Sequence, residues 1–352
     1  MTIDKIRLYR YQIALNRPLR ISSRTLTDRT GLVLVLEDHQ GFTGMGEIAP
    51  LPGLHAESLH DCVNQIKSLN DNHFFSRLYD VGLLDGWTGE SASLNIFPGL
   101  EFGMQSAMLQ IKAGQNNKTV RSLLSDNSCD QIPVNALITG EEDNRDWSES
   151  GYRTFKIKTG RLDKKDELRW ILDIARQLPA GARLRFDANC RWDMETALEF
   201  CHALEGLPVE YLEEPLMDHR QLQSLAEKVN IPVALDEHLP LYIKEDIPDW
   251  IGGLVIKPTI IPVMSRLRSF RKRGIPIVLS DTFQTGLGIS MLAELAGALG
   301  QVDLAMGFDT LNWLAEDILL NPPVIENGQL ALPDKALNFN DLDQALLKEI
   351  KL

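Results

Sequence analysis

Three acidic residues follow short apolar segments at regular intervals in the second half of the chain. Asp187, Glu213 and Asp236 each end a predicted strand, and roughly one β/α unit separates each from the next. Neighbouring strands lie about 4.8 Å apart, so carboxylates at the same height on adjacent strands converge on one point. Hard oxygen ligands favour Mg²⁺, with Mn²⁺ as the alternative, over zinc. The spacing therefore predicts a divalent metal site.

Two lysines flank these carboxylates along the chain. Lys158 ends the predicted strand before Asp187, and Lys257 ends the predicted strand after Asp236. A lysine beside a divalent cation and a second lysine is shifted towards the neutral amine, which is the form that removes a proton near neutral pH. We therefore predict acid/base chemistry beside the metal, with Lys158 and Lys257 as the catalytic residues.

Alternation along the strands groups further polar side chains on the same faces. Lys156 lies on the face of Lys158, and Arg185 and Asn189 lie on the face of Asp187. Each short motif alone is usually structural, a solvated strand edge or a turn. An unpaired buried charge costs several kcal/mol, so these groups must meet one another or a metal. Their occurrence at five successive strand ends favours a functional site.

The elements that position these residues form a regular series after residue 131. Short apolar strands alternate with amphipathic helices, which is typical of parallel strands covered by helices. The predicted strands are 132–139, 154–159, 182–188, 209–214, 233–237, 253–258, 276–281 and 303–308. Eight such units are what a closed (β/α)₈ barrel needs, although a doubly wound sheet has a similar pattern. We predict an α/β fold with a TIM-like barrel over residues 116–314.

The beginning and the end of the chain have a different texture. Period-two alternation predicts strands near residues 5–11 and 31–37, and helical spacing predicts helices over 56–69 and 101–112. We predict that residues 1–115 form an α+β capping domain. Residues 315–352, which include a strand-like segment at 329–332, are predicted to return to this domain and complete it.

Composition excludes several classes of partner. The net charge is −13, which disfavours nucleic-acid binding because phosphate contacts need clustered Lys and Arg. The four cysteines have no metal-ligand or CxxC spacing, which indicates a reducing compartment. The sequence has no apolar segment long enough for a membrane span and no signal core at its beginning. We expect a cytoplasmic protein with a small-molecule substrate, and leave its oligomeric state open.

The motifs together resemble a known family. They are Lys156-Ile157-Lys158, Asp187-Ala188-Asn189, Glu213-Glu214-Pro215, Asp236-Glu237 and Ile256-Lys257-Pro258. In order and spacing they are similar to the muconate-cycloisomerase subgroup of the enolase superfamily. The resemblance implies that Asp187, Glu213 and Asp236 bind Mg²⁺, that Lys158 is the base, and that Lys257 acts on the opposite face of the substrate. Superfamily sites of this kind stabilise an enediolate.

Within the subgroup, the chain most resembles the o-succinylbenzoate synthase family. The supporting segments are 46–53, 212–215, 255–259 and 307–310, together with Arg185. This resemblance implies magnesium-dependent syn-dehydration of 2-succinyl-6-hydroxy-2,4-cyclohexadiene-1-carboxylate to 2-succinylbenzoate in menaquinone biosynthesis. The substrate-binding residues predicted with it are Lys156, Arg185, Asn189, Ser280, Gly286 and Gly288. His238 departs from the serine common in the family, and segment 280–284 lacks the expected serine-rich run.

Two alternatives remain at this point. One is an N-acylamino acid racemase, dipeptide epimerase or muconate cycloisomerase of the same subgroup, in which both lysines act as acid and base. The other, more remote, is a non-catalytic barrel that binds a ligand. The segment 19–29, rich in Ser, Thr and Arg, is a candidate lid, with Ser23, Arg24 or Arg29 as candidate contacts to a second substrate carboxylate.

Overall fold

The structure is a computed structural model. It describes residues 3–71, 74–75, 94–140, 147–243, 247–262, 266–267, 270 and 273–352. The strands are β1 Ile3–Ile21, β2 Arg24–Asp38, β3 Thr43–Ile48, β4 Gln131–Pro133, β5 Ala136–Ile138, β6 Thr154–Lys158, β7 Arg183–Asp187, β8 Val209–Glu213, β9 Val233–Leu235, β10 Ile251–Ile256, β11 Ile277–Leu279, β12 Ile325–Glu326, β13 Gln329–Ala331 and β14 Lys348–Ile350.

Helices cover these strands on their outer faces. They are α1 Leu59–Asp71, α2 Pro98–Gln115, α3 Val120–Leu124, α4 Lys164–Gln177, α5 Met194–Ala203, α6 Leu222–Ala226, α7 Leu239–Tyr242 and α8 Gly286–Leu299. Short 3₁₀ turns lie at His219–Gln221, Leu311–Trp313, Phe339–Asp341 and Gln344–Leu346. Within the described ranges, none of the helices has the length and apolar character that crossing a bilayer requires.

Local sequence signals begin and end several of these helices. The side chain of Asp163 accepts a hydrogen bond from Lys165 N at the start of α4, and Asp193 does the same for Thr196 N in α5. Such caps satisfy backbone donors that have no partner inside a helix. Gly300 follows helix α8 as its C-cap, and its φ of 64° is the left-handed conformation that glycine adopts without strain.

The capping domain is built on a four-stranded antiparallel sheet in the order β14-β1-β2-β3. Helix α2 packs directly on β3, because glycines in that strand leave room for the helix backbone. A Cβ at Gly46 would lie 1.8 Å from Gly103 O, and one at Gly44 would lie 1.9 Å from Ala107 O. The Gly-Met-Gly segment therefore serves close packing of a helix on a sheet.

The barrel contains a seven-stranded parallel sheet in the order β11-β10-β9-β8-β7-β6-β5. Two parallel bridges close it, one between Val134 and Met306 and the other between Ser280 and Gly307. Met306 N donates to Pro133 O at 2.7 Å, and Gly307 N donates to Leu279 O at 2.9 Å. The short segment around Met306 thus occupies the place of the eighth strand. The predicted fold class, a TIM-like barrel with a capping domain, is confirmed.

Two of the predicted barrel strands differ from the structure. Segment 303–308 forms only the two bridges at Met306 and Gly307 rather than a full strand. Segment 132–139 is divided, because β4 pairs with β13 outside the parallel sheet and only β5 pairs with β6. Each half of the segment pairs with a different neighbouring strand. Its backbone groups are therefore hydrogen-bonded without one continuous ladder.

The C-terminal segment packs partly on the capping domain and partly on the barrel. Strand β14 pairs with β1, and Leu314, Ile318 and Leu342 pack in the core of the capping domain with Tyr11. The prediction that segment 329–332 also packs on that domain is wrong. Strand β13 pairs with β4, and Leu330 belongs to the barrel core. The domain boundaries near residues 115 and 315 remain predictions.

Candidate active site

The registers of the parallel strands bring three of the predicted residues side by side. Lys158 lies opposite Asp187 across β6 and β7, and Asp187 lies opposite Glu213 across β7 and β8. Asp236 follows β9, the next strand in the sheet. The Asp187 and Glu213 residues are 0% exposed and Asp236 is 6% exposed. The three carboxylates are therefore buried at one end of three adjacent strands.

Two lysines contact the first two carboxylates, and one of them reaches both. Lys156 Nζ lies 2.8 Å from Asp187 Oδ2 and 2.6 Å from Glu213 Oε1. Lys158 Nζ donates to Asp187 Oδ2 at 2.6 Å and to Asn189 Oδ1 at 3.1 Å. Since one ammonium group reaches both carboxylates, their oxygens are close enough to bind a single ion.

The second predicted catalytic lysine approaches from the other side of the barrel. Lys257 follows β10 and forms an ion pair and hydrogen bond with Asp236. In sheet order Lys158 and Lys257 are separated by the three carboxylate-bearing strands, and in an eight-unit barrel strands four places apart are opposite each other. The two amines therefore face the carboxylates from opposite walls.

Burial and mutual repulsion make the pKa values of these groups unusual. Burial and the negative charge of Asp187 raise the pKa of Glu213 to about 8. Burial opposes ionisation of Asp187 too, but Lys156 and Lys158 hold its pKa well below the usual range. Burial would lower the pKa of Lys257, but Asp236 and its acidic neighbours raise it. A neutral lysine at this site therefore requires that another cation compensate the carboxylates.

The donor set fits a divalent cation that prefers oxygen ligands. Among the described residues, Glu213 Oε2 is buried and has no hydrogen-bond partner. A buried unpaired carboxylate oxygen beside two further carboxylates is costly unless a cation binds it. Asp187, Glu213 and Asp236 would hold Mg²⁺, leaving other coordination positions for water and substrate oxygens.

A cavity of about 1030 Å³ opens above these residues. Five predicted residues line it, namely Lys156, Lys158, Asn189, Lys257 and Ser280. Asn189 also donates to Glu237 Oε1 at 2.9 Å, so its amide links Lys158 to the strand that carries Asp236. The size and polarity of the cavity suit a small carboxylate substrate.

Arg185 lies inside the barrel rather than on the cavity surface, contrary to the prediction that it binds substrate. Its guanidinium donates to Glu210 Oε2 at 2.6 Å, to Asn135 Oδ1 at 3.0 Å and to Ala305 O at 2.8 Å. The residue is 0% exposed and its guanidinium lies near the ring of Tyr211. Arg185 therefore connects strands within the barrel, one layer away from the carboxylates.

Gly286 and Gly288 also do not line the cavity, contrary to prediction. Gly286 N donates to Asp317 Oδ2 at 2.6 Å, and Gly288 N donates to Glu47 Oε2 at 2.8 Å. The backbone donors at the start of α8 are thus taken by carboxylates. A Cβ at Gly288 would lie 2.6 Å from Glu47 Oε2, so the glycine permits this close contact.

The candidate lid, segment 19–29, is part of a β-hairpin. Leu19 pairs with Leu26, and Ile21 pairs with Arg24 at the turn. Leu19 and Ile21 line the mouth of the cavity. Arg29 is 1% exposed and donates to backbone carbonyls that include Phe283 O at 2.8 Å, so it fastens the hairpin to the barrel.

The cavity also contains residues that were not predicted. Asp281, Asp309, Asn135, Arg161 and Trp170 line it. Burial raises the pKa of Asp281 to about 6, and its Oδ2 atom has no partner in the described part of the chain. Asp281 follows strand β11, so its place at a strand end was the available signal. No comparable pattern marks Trp170 or Asn135.

Comparison with known proteins agrees with this architecture. Residues 140–244 match the family model described as "Enolase C-terminal domain-like", and residues 3–111 match "MenC, N-terminal domain". The chain belongs to the enolase superfamily. The predicted resemblance to this superfamily is confirmed. The two matched segments follow the predicted order, with the capping domain before the barrel.

This chain is similar to curated proteins in sequence and to solved structures in fold. It is 27% identical to the o-succinylbenzoate synthase of Pasteurella multocida, with 99% of both chains covered. It is 28% identical to Protein PHYLLO, chloroplastic, of Arabidopsis thaliana. That match covers 83% of this chain but only 20% of the length of the Arabidopsis protein. A dipeptide epimerase from Cytophaga hutchinsonii, complexed with Mg and the dipeptide D-Ala-L-Val, has the same fold, with 19% identity, a TM-score of 0.82 and 99% coverage of both chains.

Proposed function

We propose that this chain is an o-succinylbenzoate synthase. It would catalyse the magnesium-dependent syn-dehydration of 2-succinyl-6-hydroxy-2,4-cyclohexadiene-1-carboxylate to 2-succinylbenzoate. The observation that carries the proposal is the buried carboxylate triad with Lys158 and Lys257 on opposite walls of one cavity. The full-length similarity to the Pasteurella multocida enzyme supports this choice within the superfamily.

The side chains divide the work of this reaction. Lys158 takes the proton alpha to the substrate carboxylate and then returns a proton to the departing hydroxyl on the same face, which forms water and the aromatic ring. Lys257 stabilises the negative charge that develops on the opposite side. Asn189 holds the Lys158 amine through its amide oxygen, at 3.1 Å. Asp187, Glu213 and Asp236 would hold Mg²⁺, which when bound would supply further positive charge beside the negative charge that develops on the substrate.

Lys158→Ala tests this mechanism directly. We expect the wild-type protein to form aromatic product in the presence of Mg²⁺, and the variant to lose at least about 1000-fold in kcat. Lys164→Ala is the matched control, because Lys164 is an exposed lysine that pairs with Glu199 on the outer helices. The control should retain wild-type kcat. Equal product formation by Lys158→Ala and wild type would contradict the mechanism.

A racemase or epimerase of the same subgroup is the second candidate. The opposed lysines favour it, because two bases on opposite walls can exchange a proton from either face of an α-carbon. Lys257→Arg distinguishes the two activities in deuterated water with the cyclohexadiene acid and an N-acylamino acid. Exchange retained from one face, together with aromatic product, supports the dehydratase. Racemisation by the wild type without aromatic product supports the alternative.

The remaining assignments follow from the same proposal. The ligand is a small carboxylate that fits the cavity, and Mn²⁺ is expected to replace Mg²⁺ because both prefer oxygen ligands. The location in the cytoplasm and the absence of nucleic-acid binding remain predictions from composition.

A further inference from the structure

A second group of metal-ligating side chains lies beside the carboxylate triad. Cys190 follows β7, Glu214 follows β8 and His238 follows β9, which are the three strands that carry the triad. Cys190 Sγ lies 3.6 Å from Glu214 Oε2 and 3.7 Å from His238 Nδ1. The Glu214 and His238 atoms are 2.7 Å apart. One sulfur, one oxygen and one nitrogen therefore form a compact triangle.

The sides of this triangle match the spacing of ligands around zinc. With Zn–S near 2.3 Å, Zn–N and Zn–O near 2.0–2.1 Å and tetrahedral angles, sulfur lies about 3.5 Å from each of the other two ligands. The two distances from Cys190 Sγ are already close to this value. Only the hydrogen-bonded pair Glu214–His238 must open, by roughly 0.6 Å, to reach the tetrahedral nitrogen–oxygen spacing.

The structure fixes the carboxylate of this cluster before any ion arrives. Glu214 Oε1 accepts the backbone N–H groups of Asp236, at 2.8 Å, and His238, at 2.7 Å. Its Oε2 atom is thereby turned towards the thiol and the imidazole. Glu214 is 0% exposed, whereas the His238 side chain is 20% exposed, so one edge of the cluster is open to an entering ion.

A second imidazole lies next to the cluster. The ring of His219 lies 5.0 Å from that of His238. In the part of the chain that the structure describes, His219 Nδ1 is buried without a hydrogen-bond partner. Buried polar atoms nearly always have a partner, so the surroundings of the cluster hold one further polar atom that the described residues leave unsatisfied.

We propose that Cys190, Glu214 and His238 form a second metal site that binds Zn²⁺ with a fourth position open. Thiolate and imidazole donors select Zn²⁺, whereas Mg²⁺ prefers sites made of oxygen atoms. The all-oxygen triad and the Cys-Glu-His cluster thus select different cations, although both lie on the same three strand ends. Zn²⁺ binding by the cluster does not depend on which reaction takes place at the carboxylate triad.

Zinc binding is measured by calorimetry with Mg²⁺ in saturating excess, so that the triad is occupied. Wild type should bind one equivalent of Zn²⁺. Cys190→Ser and His238→Ala should bind it at least about 100-fold more weakly, since the loss of a direct ligand costs no less than the loss of an outer-shell partner. Cys129→Ser is the matched control, a part-buried thiol whose Sγ donates to Gly297 O elsewhere, and it should bind Zn²⁺ as wild type does.

Cobalt identifies the ligands independently of affinity. Co²⁺ in wild type should give a thiolate-to-cobalt charge-transfer band that Cys190→Ser lacks and Cys129→Ser retains. Unchanged Mg²⁺ binding and circular dichroism show that each variant is folded. Equal Zn²⁺ affinity in wild type and Cys190→Ser, or a cobalt complex of the wild type without the thiolate band, would overturn the proposal.

Discussion

At the scale of single residues, the site consists of buried lysine–carboxylate ion pairs, and Lys156 has a structural role among them. Its ammonium group contacts both Asp187 and Glu213, while Lys158 and Lys257 each contact one carboxylate of the triad. Removing one partner of a buried charge pair typically costs about 3–5 kcal/mol. We infer that Lys156 holds Asp187 and Glu213 together, and that the two other lysines are available for chemistry once a cation compensates the carboxylates.

Glu213→Gln is expected to abolish tight Mg²⁺ binding while preserving the fold. Because burial and the charge of Asp187 raise the pKa of Glu213, its neutral form is tolerated in the folded chain, and glutamine resembles that form. Loss of one anionic ligand should weaken Mg²⁺ at least about 100-fold in calorimetry. Glu326→Gln, on the exposed strand β12, is the control. Unaltered Mg²⁺ affinity in Glu213→Gln would remove Glu213 from the metal site.

At the scale of elements, Glu47 joins the capping domain to the barrel. It lies on β3, is 1% exposed and accepts hydrogen bonds from Thr285 N at 3.1 Å, Thr285 Oγ1 at 2.8 Å and Gly288 N at 2.8 Å. Tyr11 OH donates to it as well. A carboxylate at the start of α8 also meets the positive end of the helix dipole. The cap is thus held on the barrel by a buried charge rather than by apolar contacts alone.

Glu47→Ala should therefore destabilise the protein strongly. It leaves several buried donors without a partner, and we expect a loss of about 3–5 kcal/mol in the free energy of unfolding, measured in urea. Glu37→Ala in the same sheet is the comparison. It removes an ion pair with Lys5, whose side chain is 63% exposed, and should cost no more than about 1 kcal/mol. Similar losses in the two variants would show that Glu47 does not connect the domains.

The same elements show what sequence reasoning reaches and where it ends. Asp187, Glu213 and Lys158 were predictable because strand period and strand order determine their neighbours. Arg185 follows the same alternation, but it lies opposite Tyr211 in the register, deeper in the barrel than the Asp187–Glu213 pair. Alternation along a strand shows which face a side chain is on and does not show how far it lies from the cavity. Gly286 and Gly288 were misread because their partners, Asp317 and Glu47, come from distant segments. Tertiary contacts of that kind leave no local signal.

At the scale of the whole molecule, the returning C-terminal segment carries a half-buried carboxylate, that of Asp317, to the junction of cap and barrel. Asp317 accepts hydrogen bonds from Gly286 N at 2.6 Å and Leu319 N at 2.8 Å. Burial nevertheless raises its pKa to about 6. A carboxyl group that binds its proton more tightly in the folded state makes unfolding easier as it ionises, so the stability that it contributes at low pH is lost as pH rises through about 4 to 6.

Asp317→Asn should flatten this part of the pH dependence. Between pH 4 and pH 7 we expect the wild-type free energy of unfolding to fall by on the order of 1–2 kcal/mol relative to the variant. The reason is that only the wild type has a carboxyl group at position 317 that ionises in this range. Urea titrations of both proteins across this range give the difference directly. Asp126→Asn, in an exposed turn, should follow the wild-type slope. Parallel curves for wild type and Asp317→Asn would contradict the assignment.

The pairing of β14 with β1 also has a consequence for biosynthesis. Leu8 lies opposite Ile350, so β1 leaves the ribosome long before this partner strand is made. Until residues 348–350 emerge, that edge of β1 has unpaired backbone groups, which are a template for strands of other chains. The nascent chain therefore keeps this site for aggregation until late in translation, after the barrel strands have been made, because the capping sheet still lacks its outermost strand.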